Sequence, residues 1–388
     1  MPVINRVADL ADEITEWRRD MHAHPELLYE VHRTAALVAD KLRAFGCDEV
    51  VTGIGRTGVV GVIRGRRGAG GKVIGLRADM DALPIEEATG AAYKSLTPGL
   101  MHACGHDGHT AMLLGAAKYL AETRNFDGTA VLIFQPAEEG GGGGLAMVRD
   151  GLMARFGVEE VYGLHNWPGH PVGAFAIKSG PVMAAADRFT ISVEGRGGHA
   201  AHPDKCVDTL LVAAQIVVAL QSIAARNVDP LESAVLSVCS FKAGDTFNVI
   251  PQHATLLGTV RTLKPEVQDL VQARISAVAT SVAAAFGATA TVEYVRGYPV
   301  TFNHPDQTEF MARVAALVGT DVKRDVPPQM GAEDFSYMLQ ERPGAYIFLG
   351  NGDSAQCHHP AYDFDDTAIP YGVSLWAKIV EEGMPAAA

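Results

Sequence analysis

Three short apolar runs in this chain each end in residues that do chemistry. Residues 73–77 run into RADMDALPIEE, residues 129–134 into QPAEE, and residues 160–164 into HNW. Asp79, Asp81, Glu138, Glu139 and His165 all fall just past these runs. Apolar runs of about four to eight residues read as buried strands. Helical periodicity between them points to an α/β sheet. Such sheets bind ligands beyond the carboxyl ends of their strands. The shared placement therefore constrains the fold and locates its site at once.

The densest chemistry lies in residues 101–110, MHACGHDGHT, with His102, His106 and His109 beside Cys104 and Asp107. Glycine costs about 1 kcal/mol in a helix interior, and two glycines sit here, so the following helix is expected over 110–123. A core has little use for unpaired polar side chains. Metal binding explains the segment, because thiolate and imidazole are ligands that Zn²⁺ and its neighbours accept. Gly105 lets the backbone turn so that Cys104 and His106 converge.

Glu138 and Glu139 can divide two tasks, one holding a metal and the other taking a proton from an attacking water. The residues alone do not say which does which. The glycine run at 140–144 lacks the Lys-Ser/Thr of a P-loop, which rejects a phosphate cradle. His165 ends a strand, where a metal role and a structural hydrogen bond are both open. His22 and His24 end a helix expected over 6–22, where capping is as open as catalysis. Asp79 caps a loop or serves the site. Asp81 can orient a ligand from behind it. Arg77, at the end of a buried strand, needs a carboxylate partner.

A length of 388 residues suggests about two domains. Hydrophobic residues make up 48%, enough for full cores. A formal charge of −13 disfavours nucleic acid as a partner. No run of about 18 apolar residues marks a membrane span. The N-terminus reads as an amphipathic helix rather than a signal peptide, so a cytoplasmic location is expected. The cysteines are Cys47, Cys104, Cys206, Cys239 and Cys357, an odd number with no disulfide framework. Cys47, Cys206 and Cys239 read as small core or surface thiols.

From about residue 186 the texture changes. Strands over 188–193, 234–242, 254–262 and 289–294 and helices over 207–224 and 264–286 give a βαββαβ order, which suggests a split-βαβ domain of about 110 residues. Histidines recur in Cys357-His358-His359. The expected division is a discontinuous domain, 1–185 and 298–388, with 186–297 inserted.

These motifs together resemble the M20 metallopeptidases, and within them the N-acyl-amino-acid amidohydrolases of the hippurate hydrolase and auxin-conjugate hydrolase types. The resemblance rests on RRDMHAHPEL (18–27), GLRADMDALPI (75–85), MHACGHDGHTAMLLG (101–115), FQPAEEGGGG (134–143) and YGLHNWPG (162–169). It continues through GRGGHAAHP (195–203), FNVIP (247–251), GAEDFSY (331–337) and HHPAYDFDD (358–366). It implies an aminopeptidase-like catalytic domain with a central mixed sheet, and an inserted ferredoxin-like lid that mediates dimerisation. It implies two divalent metal ions per subunit, drawn from Mn²⁺, Zn²⁺ and Co²⁺, on Cys104, His106, Glu139, His165 and His358, with Cys104 bridging. Glu138 would be the general base, and His199 would polarise the scissile carbonyl in the partner subunit's site. Asn248 and Arg261 would grip the substrate, a small N-acyl-amino acid.

Two positions depart from the usual pattern: Lys205-Cys206 stands where small or neutral residues are expected, and Cys357 precedes His358 where an aliphatic residue is commoner. The extra thiol offers competing coordination and leaves His359 as an alternative to His358, which is preferred for standing two before Pro360. A dipeptidase or an N-acetyl-diaminopimelate deacetylase would use the same site. Outside enzymes, the chain would be a metal-binding or redox-sensing protein with Cys104 as a reactive thiol. A thiolate held between two cations is a poor nucleophile, which argues against that reading.

Overall fold

The computed structural model describes residues 3–68 and 71–387. The chain divides into two compact units. The first comprises Met1–Val182, Phe302–Pro327 and Asp334–Ala388, and the second Met183–Thr301 with Pro328–Glu333.

The first unit is built on a mixed sheet in the order Glu49–Ile54, Gly58–Arg64, Thr129–Gln135, Val73–Asp79, Glu160–Trp167, Gly344–Gly350, Ala174–Ala176, Asp321–Lys323. Its central strands are parallel, and their residues are apolar on both faces because helices cover both. Val73–Asp79, Thr129–Gln135 and Gly344–Gly350 are almost wholly buried. In register, Asp79 pairs with Gln135 and Arg77 with Gly163. Both strands run on in the same direction past that last pair, to Asp79 and to Trp167. The three chemistry-bearing strand ends thus share one edge.

Helix His106–Thr123 packs on Val73–Asp79 and against Ala11–Ala23 and Ile369–Gly383. It begins four residues before the expected start at Thr110. The glycine penalty and the polar side chains argued against helix there, but burial overrides that: His106, Asp107 and His109 all find partners within the fold. The N-terminal helix expected over 6–22 is two pieces, Asn5–Asp9 and Ala11–Ala23, meeting at Leu10. The glycine run also passes into a helix, Gly143–Arg149.

The second unit carries an antiparallel sheet ordered Ala234–Ala243, His253–Thr262, Ala185–Glu194, Thr289–Tyr298. Ala185–Glu194 alternates buried and exposed residues, as a strand with one covered face does. Helices Thr209–Arg226 and Pro265–Ala285 cover it, burying Val212, Ile216, Leu220, Val271 and Ile275 with Phe189 and Ile191. By length and composition Thr209–Arg226 is apolar enough to cross a membrane, which the sequence reading did not flag. Its buried face belongs to this core.

Candidate metal centre

Strand ends and one helix start aim the chemistry of the first unit at one place. Gly105 adopts a left-handed conformation, φ +89°, at the start of helix His106–Thr123. The chain turns there, and Cys104 and His106 converge. One ligand atom from each of Cys104, His106 and His165 lies within 4.8 Å of the others, and the same holds for Cys104, Glu139 and His358 and for His106, Glu138 and Glu139. Cys104 Sγ is 3.3 Å from His165 Nε2. His358 Nε2 is 3.1 Å from Glu139 Oε1. His358 is reached through a positive φ of 67°, a conformation that non-glycine residues hold only under tertiary constraint.

The surroundings orient this cluster. The backbone N–H groups of Glu138 and Glu139 donate to the two oxygens of Asp81, at 3.0 and 3.1 Å. His106 Nδ1–H donates to the Asp81 carbonyl at 2.9 Å, which turns Nε2 toward the cluster. His109 accepts at Nε2 from the backbone N–H of Asn166, so its proton is on Nδ1, donated to Asp79 Oδ1 at 2.7 Å. Its nitrogens are thereby engaged, and it holds neighbouring strand ends together. Asn166 donates to the Cys104 carbonyl and accepts from the Tyr362 hydroxyl. Arg77 finds its carboxylates: Asp79 at 2.7 Å and Asp334 at 3.1 Å.

The N-terminal motif serves the same loop from behind. His22 Nδ1 lies 2.8 Å from Asp107 Oδ2, and Arg18 pairs with Asp107 and Asp366. His24 instead donates to the Asp20 carbonyl at the end of its own helix, a capping bond. Neither His109, Asn166 nor Asp107 was assigned from sequence. For His109 the spacing of three from His106 was the available signal, since it puts both on one helix face.

The electrostatics suit a cation. Burial opposes the charge on His106, but Asp79, Asp81 and Glu139 outweigh it and raise its pKa to about 10. Burial pushes Asp79 up, yet His106, Arg77 and His109 hold it well below the carboxylate range. The Cys104 thiol is pushed up by the neighbouring Cys357 thiol, by burial and by Glu139. His106 Nε2 is buried with no hydrogen-bond partner. Such an atom inside a cluster of soft and carboxylate donors fits a divalent cation, whose binding needs neutral imidazole and deprotonated thiol.

The remaining expected site residues lie in the second unit. Gly198–His199 pairs with Val249–Ile250, and Ala200 N–H donates to the Asn248 carbonyl, so His199 and Asn248 share one exposed corner. Arg261 lies near the end of strand His253–Thr262, donating to Thr259 Oγ1 and the Val260 carbonyl.

A mixed α/β sheet with thiol, imidazole and carboxylate donors gathered past its strand ends defines a metallohydrolase-like architecture. The chain belongs to peptidase family M20/M25/M40, which it matches over residues 75–382. It is 43% identical to hippurate hydrolase of Campylobacter jejuni, covering 98% of both chains. It is 42% identical to N-acetyl-L-cysteine deacetylase of Bacillus subtilis, covering 94% of this chain and 86% of that one. The structure of a dinuclear metal-binding M20 peptidase from Bacillus subtilis superposes with a TM-score of 0.85 at 33% identity, covering 98% of this chain and all of the other.

Proposed function

We propose that this protein hydrolyses the amide bond of small N-acyl-amino acids with two divalent cations held by Cys104, His106, Glu139, His165 and His358. The observation that carries this reading is that the Cys104 sulfur belongs to two donor groups at once, with His106 and His165 and with Glu139 and His358. A thiolate so placed suits a bridging role. The names of the hippurate hydrolase and N-acetyl-L-cysteine deacetylase relatives support the substrate class.

Cations bound there supply Lewis acidity toward the amide carbonyl and make water easier to deprotonate near neutral pH. Glu138, adjoining the cluster but outside the ligand set, takes a proton from the attacking water and passes it to the leaving nitrogen. Water thus adds across the bond, and a carboxylic acid and a free amino acid leave. Asp81 keeps Glu138 and Glu139 in fixed register by holding both backbone N–H groups. His199 is read as reaching a partner copy's site to polarise the scissile carbonyl, and Asn248 and Arg261 as gripping the substrate.

A homodimer through the second unit is supported by apolar side chains left exposed on helix Thr209–Arg226, where Leu210, Leu211 and Val218 are 47%, 47% and 69% exposed. The sheet edge Ala234–Ala243 adds exposed Val235 and Phe241. A cytoplasmic location completes the reading.

The test is amino-acid release from N-acetyl, N-benzoyl and indole-acetyl amino acids and from dipeptides, with added Mn²⁺ or Zn²⁺ and after chelation. Release from the N-acyl class that chelation abolishes is expected. No release from any N-acyl substrate by protein shown to hold metal overturns the reading, and faster turnover of dipeptides makes the enzyme a dipeptidase.

A further inference from the structure

Cys357 has no part in the chemistry above, yet it lies against the residue on which that chemistry most depends. The backbone N–H of His358 donates to the carbonyl of Ala103 at 2.7 Å. That bond joins the peptide between Cys357 and His358 to the peptide between Ala103 and Cys104. The two cysteines therefore flank one hydrogen-bonded pair of peptides. That contact ties the backbones of the two cysteines together, as a disulfide requires, since it spans Cα atoms only about 4.4–6.8 Å apart. The side chains converge as well. Cys357 Sγ lies 4.0 Å from the Cys104 carbonyl oxygen and 4.0 Å from Asn166 Oδ1. Each thiol is the other's nearest influence on its proton. Both cysteines are unbridged, Cys104 buried and Cys357 half-buried.

We propose that Cys104 and Cys357 form a redox-reversible disulfide site, and that its oxidation by a small-molecule disulfide withdraws Cys104 from the cation-binding cluster. This rests on the reading of Cys104 as the shared cation-holding thiolate. The Cys357 thiolate attacks one sulfur of the small disulfide, forming a mixed disulfide and expelling one small thiolate. Cys104 then attacks the Cys357 sulfur, forming the internal bond and expelling the second. Two cysteine thiols are oxidised by two electrons, one disulfide is reduced to two thiols, and the two cysteine protons pass to the departing thiolates. A sulfur engaged by cations is a poor nucleophile, so the cation-free protein is the reactive form. The site thus couples loss of metal to a covalent state that resists reloading.

The test uses the full-length protein, stripped of metal and exposed to oxidised glutathione, then unfolded in an alkylating agent, digested and mapped by mass. The expected result is a peptide joining Cys104 to Cys357. Zn²⁺ affinity, measured by competition with a chromophoric chelator, should fall at least about 10-fold and return with a thiol reductant. Cys357→Ser should bind Zn²⁺ normally, yield no bridged peptide and lose the oxidant's effect. Both cysteines remaining alkylatable after oxidation, or bridges only to Cys47, Cys206 or Cys239, overturns the proposal. Cys104→Ser, with its fold confirmed by far-UV circular dichroism, separates the two readings. If it binds Zn²⁺ like the unaltered protein, the ligand reading fails. If it loses Zn²⁺ while the unaltered protein forms no bridge, only the disulfide site fails.

Discussion

Gly108 is the third residue of helix His106–Thr123, in the turn that carries His106 and His109. A Cβ at that position would lie 2.4 Å from Phe364 Cε2 and 2.6 Å from both Cδ2 and Cζ. Carbon atoms pack at about 3.5–4.0 Å, so about an ångström of overlap must be relieved. Phe364 is 1% exposed and cannot swing into solvent. Two effects compete in Gly108→Ala. Helix propensity favours alanine by about 1 kcal/mol. Overpacking a core costs about 1–3 kcal/mol, and three contacts with one immobile ring place this case near the upper end. The clash wins, and the variant should be less stable by about 2 kcal/mol. In a Phe364→Ala background the ring is gone, and the same substitution should stabilise by up to about 1 kcal/mol. Guanidinium unfolding of the four metal-free proteins, followed by far-UV circular dichroism, reads the cycle. The expected coupling is about 3 kcal/mol, the sum of the loss in one background and the gain in the other. A Gly108→Ala protein as stable as its parent, or equally destabilised in both backgrounds, refutes the steric account of why glycine stands in this helix.

Glu138→Gln should lower kcat by about 10²–10⁴-fold with bound metal unchanged, and near-normal kcat would remove Glu138 as the base. Asn166→Ala strands the buried Cys104 carbonyl and Tyr362 hydroxyl, costing about 1–3 kcal/mol for each and about 10–100-fold in Zn²⁺ affinity; unchanged affinity by chelator competition would show that Asn166 does not position Cys104. Burial opposes the charge on His22, but Asp107 and Glu87 outweigh it and raise its pKa to about 9 from 6.5. The folded state holds this proton more tightly, so the stabilisation, on the order of 3 kcal/mol, is complete below pH 6.5 and lost as pH rises to 9. The denaturant midpoint should fall across that window and fall less in His22→Gln; parallel curves for the two proteins would show that the pair does not govern it. Val218→Asp should shift sedimentation from dimer to monomer, and an unchanged dimer would place the interface elsewhere.

The parts of this protein that sequence alone determined are those whose causes are local. Apolar runs define strands because their period reflects burial of the very residues that form them. Cys104 and His106 point to a metal because they stand two residues apart around a glycine. Glu138 and Glu139 announce two roles by adjacency, although dividing the roles required the family resemblance. Arg77 declared its need for a carboxylate, but only one of its partners, Asp79, was nearby in sequence; Asp334 is 257 residues away.

What tertiary structure decided are the matters settled by partners far along the chain. Propensity placed the helix start at Thr110, yet it begins at His106, because Asp107 meets Arg18 from 89 residues away and His109 meets Asp79 from 30. The third histidine of the loop became a strand-end brace rather than a free donor because the Asn166 N–H, 57 residues on, occupies its second nitrogen. Cys357 reads in sequence only as an unusual neighbour of His358, and it gains meaning when the fold brings it to Cys104 across 253 positions. Local composition fixes which donors and apolar periods are available. Which donors meet depends on pairings that only the assembled fold enforces, because burial leaves each polar atom free to choose among the few partners the fold places within reach.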